Sequence, residues 1–405
     1  MANTLKFIDM VAREALAIAH EKASFIGTTD LQYDDSYAKS GAKIGQTLRV
    51  RNPNKYTRRQ GSRVMDVQDQ NESTQNITMA TQDGVDMRFN SAELTLDTDS
   101  PSDVAAFSKR YIEPAMAVLV SGIESDYLAY ATKATYNLAG TAGTALTDLT
   151  APGLARAKLN QNLAPKDGNR FVQLDSVTSA SMVNGLKGLF QDSAQIKEQY
   201  REGMLGRTAM ADWYENERVW TLTNGADVAG TLDTYTVVEG DTDLTVTGFS
   251  AAPAVGAVFT LAGVYAVHPE TKATLSHLQQ FVVTSATTTV INCSPAIYSS
   301  ASGASQNVSA LPSTTAAVTF VGAVSTSYVQ PLMYHKEAFQ FVTADLPLMD
   351  DAHKCSRRTQ DGLSLRVWMA SDIRNDELLM RLDILYGMAA LRPEWACRMI
   401  GAAGA

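Results

Sequence analysis

The sequence has few of the residues from which disulfide frameworks and zinc sites are built. Only three of its 405 residues are cysteine, an odd number whose members lie far apart and lack the close spacing of metal ligands. They are Cys293, Cys355 and Cys397. We expect all three to be reduced thiols, as in cytosolic proteins.

Signals of export and of membrane insertion are also missing. No apolar run approaches the ~20 residues that a membrane-spanning helix needs. The N-terminal stretch carries Asp9, Arg13 and Glu14 where a secretory signal would be apolar. We therefore expect a soluble protein made inside the cell, with no membrane partner.

Motifs that carry chemistry are absent as well. The sequence has no Gly-rich phosphate loop, dinucleotide fingerprint, nucleophile elbow or zinc-protease helix. Two sets of residues could be considered as metal ligands: His353 with Cys355, and His268 and His277 with Cys293. Scattered polar or core residues explain such sets more often than a metal does. Residues 241–243 could begin a calcium loop, but no ligand-rich continuation follows and a solvated acidic turn fits better. The sequence predicts no enzyme, no cofactor and no metal.

Positive charge is in the minority. The chain has 34 Lys and Arg residues against 43 Asp and Glu residues, a net charge of −9. This balance opposes a sequence-wide attraction to nucleic acid, although local basic patches remain open. With 45% apolar residues, the chain can bury a large core and is long enough for more than one domain.

The longest regular pattern predicts a single helix over residues 100–138. Ser100 is placed to cap its first amides, and Pro101 suits the first helical position. An apolar stripe recurs along one side at three- to five-residue steps: Val104, Phe107, Tyr111, Met116, Leu119, Ile123, Tyr127 and Tyr130. Such a helix would be roughly 55 Å long, so we expect a rod that links separate structural regions. Pro114 removes one backbone donor and predicts a bend in the rod.

An extended hairpin with oppositely charged legs is predicted for residues 43–96. Val85, Met87 and Phe89 alternate with polar residues on the returning leg. The basic residues of the outgoing leg are Arg49, Arg51, Lys55, Arg58, Arg59 and Arg63. The acidic residues of the returning leg are Asp66, Asp69 and Glu72, followed by Asp83 and Asp86.

The hairpin has few large apolar residues near its tip, and an isolated hairpin is marginal in water, so it needs a surface to lie on. Its segregated charge suits contact with copies of the same chain. Two alternatives stay open. One is a solvated hairpin with its own cross-strand ion pairs, and the other is a basic arm for nucleic acid.

The middle of the chain predicts an α/β lobe followed by a separate all-β domain. Helices are predicted at 153–163 and from Ser179, with a buried strand at 170–174 between them. Near Asn224 the composition changes to Thr, Val, Ala, Ser and Gly, with short strand runs separated by turns. This all-β domain of about 110 residues is inserted in the chain rather than appended to it.

The last part of the chain returns to long strands. Strict alternation predicts strands over 363–369 and 378–386, with Gly387 ending the second and a last strand from about Trp395. These strands need a sheet, and the long helix needs a surface to pack on. The predicted fold class is α+β.

The order of these parts resembles the major capsid proteins of tailed bacteriophages, which have the Hong Kong 97-type fold. The likeness is nearest to the short-tailed Salmonella phage type, which carries an inserted β-barrel domain. It rests on three stretches of this sequence: KRYIEPAMAVLVSGIESD, GLFQDSAQIKEQYREGMLGRTAMADWY and LDILYGMAALRPEW.

The resemblance implies a division of the chain into six parts. They are an N-terminal arm (1–42), an extended hairpin loop (43–99), a spine helix (100–140), an axial α/β lobe (141–223), an inserted β-barrel (224–333), and return strands of the peripheral and axial lobes (334–405). The hairpin would lie across a neighbouring subunit, and the acidic turn of the barrel would reach between capsomers. The acidic residues of that turn are Glu239, Asp241 and Asp243.

The function implied is a structural one. The chain would assemble with copies of itself into pentamers and hexamers of an icosahedral shell around double-stranded DNA, and the same subunit would bend near Pro114 to serve both. Its partners would be a scaffolding protein, a portal protein and packaged DNA held without sequence specificity on the inner surface. Assembly would occur in the host cytoplasm and be noncovalent, since nothing marks Lys55 for a crosslink. Two alternatives remain: a nanocompartment shell with enzyme cargo, and an enzyme or carbohydrate-binding protein that uses the Thr-rich β domain.

Overall fold

A computed structural model describes the chain in segments. The described residues are 15, 23–34, 47–59, 61, 63–65, 67, 74–90, 108–186, 207–234, 236–349, 354–360 and 363–402. Several predictions fall outside this part of the chain: the start of the long helix at Ser100, and the acidic residues Asp66, Asp69 and Glu72.

The described helices and strands are as follows. The α-helices are α1 (Ser24–Thr28), α2 (Glu113–Ala134), α3 (Thr150–Gln161) and α4 (Ser176–Leu186), and a π-helical turn, Ser108–Ile112, precedes α2. The first strands are β1 (Asp30–Asp34), β2 (Thr47–Arg51), β3 (Thr74–Thr78), β4 (Thr81–Asn90), β5 (Leu138–Ala139), β6 (Arg170–Leu174), β7 (Arg207–Thr208), β8 (Ala211–Glu215) and β9 (Thr221–Thr223). The next are β10 (Ala229–Leu232), β11 (Asp243–Thr247), β12 (Val258–Val267), β13 (Thr274–Ala286), β14 (Val290–Ser294) and β15 (Ala317–Phe320). The last are β16 (Ser327–Val329), β17 (Leu332–His335), β18 (Phe339–Ala344), β19 (Lys354–Gln360), β20 (Leu363–Asp372), β21 (Glu377–Ala390) and β22 (Ala396–Met399).

A first compact unit comprises Met1–Val50, Thr74–Tyr127 and Phe339–Ala389. Its six-stranded sheet has the order β1-β18-β21-β20-β19, and β4 also pairs with β21. The side chains of Arg366 and Asp383 face each other on β20 and β21 and form a buried ion pair at 2.6 Å. The mixed helix and sheet content confirms the α+β class.

The predicted apolar side of the long helix packs in this unit up to Tyr127. Met116, Leu119, Ile123 and Tyr127 are all buried, which confirms that part of the stripe. The Tyr127 ring lies 4.8 Å from that of Phe25 on α1. The stripe ends earlier than expected, because Tyr130 is exposed.

The end of the long helix also differs from the prediction. Helix α2 stops at Ala134, whereas the sequence pattern continued to Leu138. The side-chain amide of Asn137 donates to the carbonyl oxygens of Glu394 and Ala396, at 3.2 and 3.0 Å. These bonds hold the chain in extended form, and Leu138 then pairs with β22 instead of continuing the helix.

The returning leg of the predicted hairpin divides between two sheets. Strand β3 pairs with β2, but β4 pairs with β21 over ten residues. Asp83 therefore accepts a hydrogen bond from Tyr386 Oη at 2.7 Å, and Asp86 pairs with Arg381 Nε at 3.1 Å. These two acidic residues face partners on β21, which a sequence pattern cannot reveal because the partner lies about 300 residues away.

The sequence pattern predicts that Gly387 ends a strand, and this prediction is wrong. Gly387 lies inside β21, which continues to Ala390. A Cβ at this position would lie 2.6 Å from the carbonyl oxygen of Thr78. Because Gly387 has no Cβ, the backbone of β21 can approach the backbone at Thr78 closely.

A second compact unit comprises Arg51–Ser73, Leu128–Ala338 and Ala390–Ala405. Its open sheet has the order β5-β22-β17-β6-β8-β7, and the predicted strand at 170–174 is β6 at its centre. The following helix begins at Ser176, three residues before the predicted start. The reason is Asp175, whose Oδ2 accepts the Thr178 N–H at 3.0 Å and caps the first turn.

The predicted all-β domain is a closed barrel in this second unit. Its strand order is β10-β11-β14-β13-β12-β15. The core is filled by alternating inward side chains, among them Leu244, Phe259, Phe281 and Ile291. This confirms a barrel within the Thr-rich region, while the boundaries of the six predicted parts remain predictions.

Candidate intersubunit surface

The candidate contact residues of the hairpin lie in a segment that joins β2 to β3. We call its described residues within 51–67 the basic segment; beyond Arg51 they form no helix or strand. Its exposed positive residues are Arg51, Lys55, Arg58, Arg59 and Arg63. Of Arg49, only the backbone in β2 is described. The structure thus brings these basic residues together along one exposed stretch.

The basic segment also exposes apolar side chains that the sequence analysis missed. Val64, Met65 and Val67 are 76%, 79% and 77% exposed. Tyr56 is exposed as well. The apolar pair Val64 and Met65, next to Arg63, was visible in the sequence. It was overlooked because only the charged residues of this stretch were counted. Burying such side chains on another surface is worth about 25 cal/mol per Å² of apolar area, so this stretch suits a protein contact.

The tip of the basic segment has a defined local shape. The guanidinium of Arg59 donates from Nη1 to the carbonyl oxygen of Val64. Gly61 between them has φ +78°, a left-handed conformation that glycine adopts without strain. The turn therefore presents Val64 and Met65 next to the positive charge.

The basic segment lies against the second unit, to which it belongs. A Cβ on Gly303 of the barrel would lie 3.8 Å from Cγ2 of Thr57. Burial, with the nearby charge of Lys55, lowers the pKa of Lys272. Burial raises the pKa of Glu394, and Lys55 acts in the opposite direction. Lys55 therefore sits within electrostatic reach of both residues.

The acidic turn of the barrel is largely occupied with its own structure. Glu239 accepts hydrogen bonds from Ser299 Oγ, from Ser302 Oγ at 2.6 Å and from the Ser299 N–H at 2.8 Å, which together lower its pKa. Asp241 accepts the Val238 N–H at 2.8 Å. Asp243 begins β11 and is exposed. Of the three candidates, Asp243 is the one best placed to meet another molecule.

Pro114 lies at the point where the long helix changes type. The π-helical turn ends at Ile112, and α2 begins at Glu113. Proline has no backbone N–H, so it cannot donate to the carbonyl four residues earlier. A π turn can therefore precede Pro114 without leaving a backbone donor of that residue unpaired. The predicted bend at this residue stays a prediction.

No group of three or more metal-ligating side chains occurs among the described residues. None of the described helices is long and apolar enough to cross a membrane. Burial raises the pKa of Cys293 to about 12 and that of Cys397 to about 11, so neither is a reactive thiol at neutral pH.

The comparisons with known proteins bear on this surface. Residues 216–401 match the family described as "P22 coat protein - gene protein 5". The match confirms the predicted kinship with phage coat proteins. It covers the barrel, including Asp243, and the returning strands; the basic segment lies outside it.

Two solved phage capsids and one virus-like particle show a more distant likeness. The "Capsid of Ralstonia phage GP4" is 9% identical, with 95% of this chain and 90% of that chain covered and a TM-score of 0.48. The "Asymmetric unit of bacteriophage PhiM1 mature capsid" is 10% identical, with 93% and 86% covered and a TM-score of 0.47. The "Crystal structure of virus-like particle from Pyrococcus furiosus" is 9% identical, with 98% and 100% covered and a TM-score of 0.41. No curated protein sequence matches the chain.

Proposed function

We propose that this chain is the major capsid protein of a tailed phage, with a Hong Kong 97-type fold. It assembles noncovalently into pentamers and hexamers of an icosahedral shell that encloses double-stranded DNA. The observation that carries this proposal is the match of residues 216–401 to a phage coat-protein family. The closed barrel within the Thr-rich region and the α+β body support the same conclusion.

The basic segment is the proposed clasp between subunits. It combines exposed arginines with Val64, Met65 and Val67, whose exposure is costly in a lone subunit. Burial on a neighbouring copy would recover this apolar area, while Arg58 and Arg59 would meet acidic groups of a chain that is acidic overall. Obligate interfaces of this kind bury on the order of 2,000 Å² or more.

The remaining partners follow from the same proposal. A scaffolding protein would act during assembly in the host cytoplasm, and a portal protein would occupy one vertex. Packaged DNA would meet the inner surface without sequence specificity, and the net charge of −9 would limit its adhesion. Asp243 is the proposed contact of the barrel between capsomers.

The test of the clasp is a charge reversal. We expect Arg58→Glu combined with Arg59→Glu to block shell formation while the subunit still folds, because both residues are exposed. Assembly is measured by sedimentation and negative-stain microscopy, and folding by circular dichroism and urea unfolding.

The matched control places the same charge change elsewhere. Lys354→Glu combined with Arg374→Glu alters two exposed basic residues outside the basic segment. Normal shells from the Arg58 and Arg59 variant would contradict the clasp. Shells that contain an enzyme cargo instead of DNA would favour a nanocompartment, and turnover of a substrate by a lasting monomer would overturn the structural role altogether.

A further inference from the structure

The open edge of the six-stranded sheet in the second unit is closed by a side chain of the barrel. Strand β5 is the last strand of that sheet, and its only strand neighbour in the described part of the chain is β22. The Arg398 N–H bonds to Asn137 O at 2.8 Å, and the Ile400 N–H bonds to Ala139 O at 2.9 Å. In this parallel register the N–H and C=O of Leu138 point away from β22, as on any sheet edge.

Gln280 supplies the partners that Leu138 would otherwise lack. It lies on barrel strand β13, opposite Thr260 of β12. Its Oε1 accepts the Leu138 N–H at 2.8 Å, and its Nε2 donates to Leu138 O at 3.2 Å. The side-chain amide of Gln280 thus takes the place of one peptide unit of a neighbouring strand. Its two hydrogen bonds to Leu138 together fix the direction in which the barrel meets the sheet edge.

Two cations, the half-buried Lys158 and the buried Arg398, reinforce this contact between the sheet and the barrel. Lys158 on α3 donates from Nζ to Leu138 O at 2.7 Å and also to Gln280 Oε1. Arg398 donates from Nη1 to the carbonyl oxygen of Gly256 in the barrel at 2.7 Å. Burial lowers the pKa of both side chains, that of Arg398 to about 9. Since burying a charge is costly, such groups contribute more to a specific arrangement than to net stability.

An apolar cluster completes the junction without setting its direction. Leu138 and Ile400 of the sheet pack with Val258 of the barrel and with Tyr328. Burial of such groups is favourable but non-directional. A barrel attached by this cluster alone could settle in several orientations, whereas the two-point amide contact permits one.

We propose that Gln280 is a positioning residue, which fixes the orientation of the inserted barrel against the edge of the sheet. This inference deepens the proposed shell function and rests on it in one respect: the orientation of the barrel sets where its outer surface, including Asp243, meets another subunit. Gln280 also occupies the sheet edge, which blocks pairing with a strand from another chain.

The test uses the full chain as a soluble subunit. Gln280→Met keeps the approximate size of the side chain and removes all three of its hydrogen bonds, two with Leu138 and one with Lys158. Gln280→Glu keeps the acceptor for the Leu138 N–H and for Lys158 but loses the donor. The matched control is Gln306→Met, which removes a hydrogen bond to Val308 O within the barrel. Hydrogen exchange is followed at the Leu138 amide, and circular dichroism checks folding.

Barrel orientation is measured by distances between two spin labels. Labels are placed at Leu154→Cys on α3 and at Thr271→Cys on the barrel, both exposed, in a Cys355→Ser background; Cys293 and Cys397 are buried. We expect Gln280→Met to speed exchange at Leu138 about tenfold or more, as for the loss of a hydrogen bond, and to broaden the distance distribution. The exchange rate and the width of the distance distribution in Gln280→Glu should lie between those of Gln280→Met and the wild type. Gln306→Met should change neither measurement.

Several results would overturn the inference. Equal exchange and equal distance distributions in Gln280→Met and Gln306→Met would show that Gln280 does not position the barrel. Under shell-forming conditions we expect Gln280→Met to give particles of mixed diameter. Particles of uniform diameter together with a broadened distance distribution would show that the orientation of the barrel does not control assembly. If the wild type forms no shells, the proposed function fails, while the exchange and distance data still decide the role of Gln280.

Discussion

Two buried arginines in the second unit have very different surroundings. Arg170 donates from Nε to Pro165 O at 3.0 Å, from Nη1 to Asn160 Oδ1 at 2.9 Å and from Nη2 to Ala164 O at 2.7 Å. Arg398 is fully buried and makes one described side-chain hydrogen bond, to Gly256 O. Arg170 therefore organises the loop after α3, whereas Arg398 carries a buried charge with little compensation.

The two arginines should respond differently to replacement by methionine. Arg170→Met leaves three acceptors without their donor, one of them on the buried Ala164 and two on the half-buried Asn160 and Pro165, and should destabilise the protein by roughly 3 kcal/mol. Arg398→Met leaves one acceptor and removes a poorly compensated charge, so its cost should be below about 1.5 kcal/mol. Urea unfolding of both variants measures the order; an equal or greater loss in Arg398→Met would contradict it.

Asp167 links stability to acid pH. Its carboxylate accepts hydrogen bonds from the Asn169 N–H at 3.1 Å and from the buried His335 Nε2 at 3.1 Å, and these bonds, that of the Asn169 backbone first, lower its pKa to about 2. The unfolded value is about 3.9. Because the folded pKa is the lower one, the contribution is complete above the unfolded pKa and is lost as the pH falls from about 4 to about 2.

The expected result is a stability difference that depends on pH. Asp167→Asn should unfold at lower urea concentration than the wild type at about pH 6, and the difference should shrink toward about pH 2. Urea midpoints across this range provide the measurement. A difference that stays constant over the whole range would show that the carboxylate charge is not responsible.

At the scale of elements, strict alternation in the sequence predicted most of the strands that show it. The prediction of pairing and of element ends failed where residues far along the chain determine them. The alternation of Val85, Met87 and Phe89 predicted a strand, but nothing in it indicated pairing with β21. The end of α2 was missed because the side chain of Asn137 bonds to residues near the C-terminus. Local periodicity indicates whether an element is a helix or a strand, whereas the ends and pairing partners of that element depend on contacts with residues far along the chain.

Two glycines in long elements provide a matched test of this account. Gly122 lies inside α2, where a Cβ would meet no atom of the described residues within 4 Å, whereas a Cβ on Gly387 in β21 would lie 2.6 Å from the Thr78 oxygen. Gly122→Ala should therefore stabilise by about 0.5–1 kcal/mol. Gly387→Ala should destabilise by about 1–3 kcal/mol through overpacking. Thermal and urea unfolding measure both, and a tolerated Gly387→Ala would contradict the close approach of the two backbones.

At the scale of the whole molecule, the predicted kind of protein is confirmed, whereas the predicted contact surface stays a prediction. The order of parts and the Thr-rich insertion predicted a phage coat protein, and the match over 216–401 confirms that kinship. The surface was predicted from charge alone. Two of its acidic residues, Glu239 and Asp241, hold the barrel's own turn, and the exposed apolar residues Val64 and Met65 were missed. Exposure and hydrogen bonding depend on the fold, which charge counting does not include.

Cryo-electron microscopy of the purified full chain, expressed alone and with the proposed scaffolding protein, tests the central claim most directly. The account predicts closed shells of fivefold and sixfold clusters, in which the basic segment around Arg58 and Met65 is covered by a neighbouring copy. Particles that stay monomeric under every assembly condition, or shells in which that segment faces solvent, would contradict it.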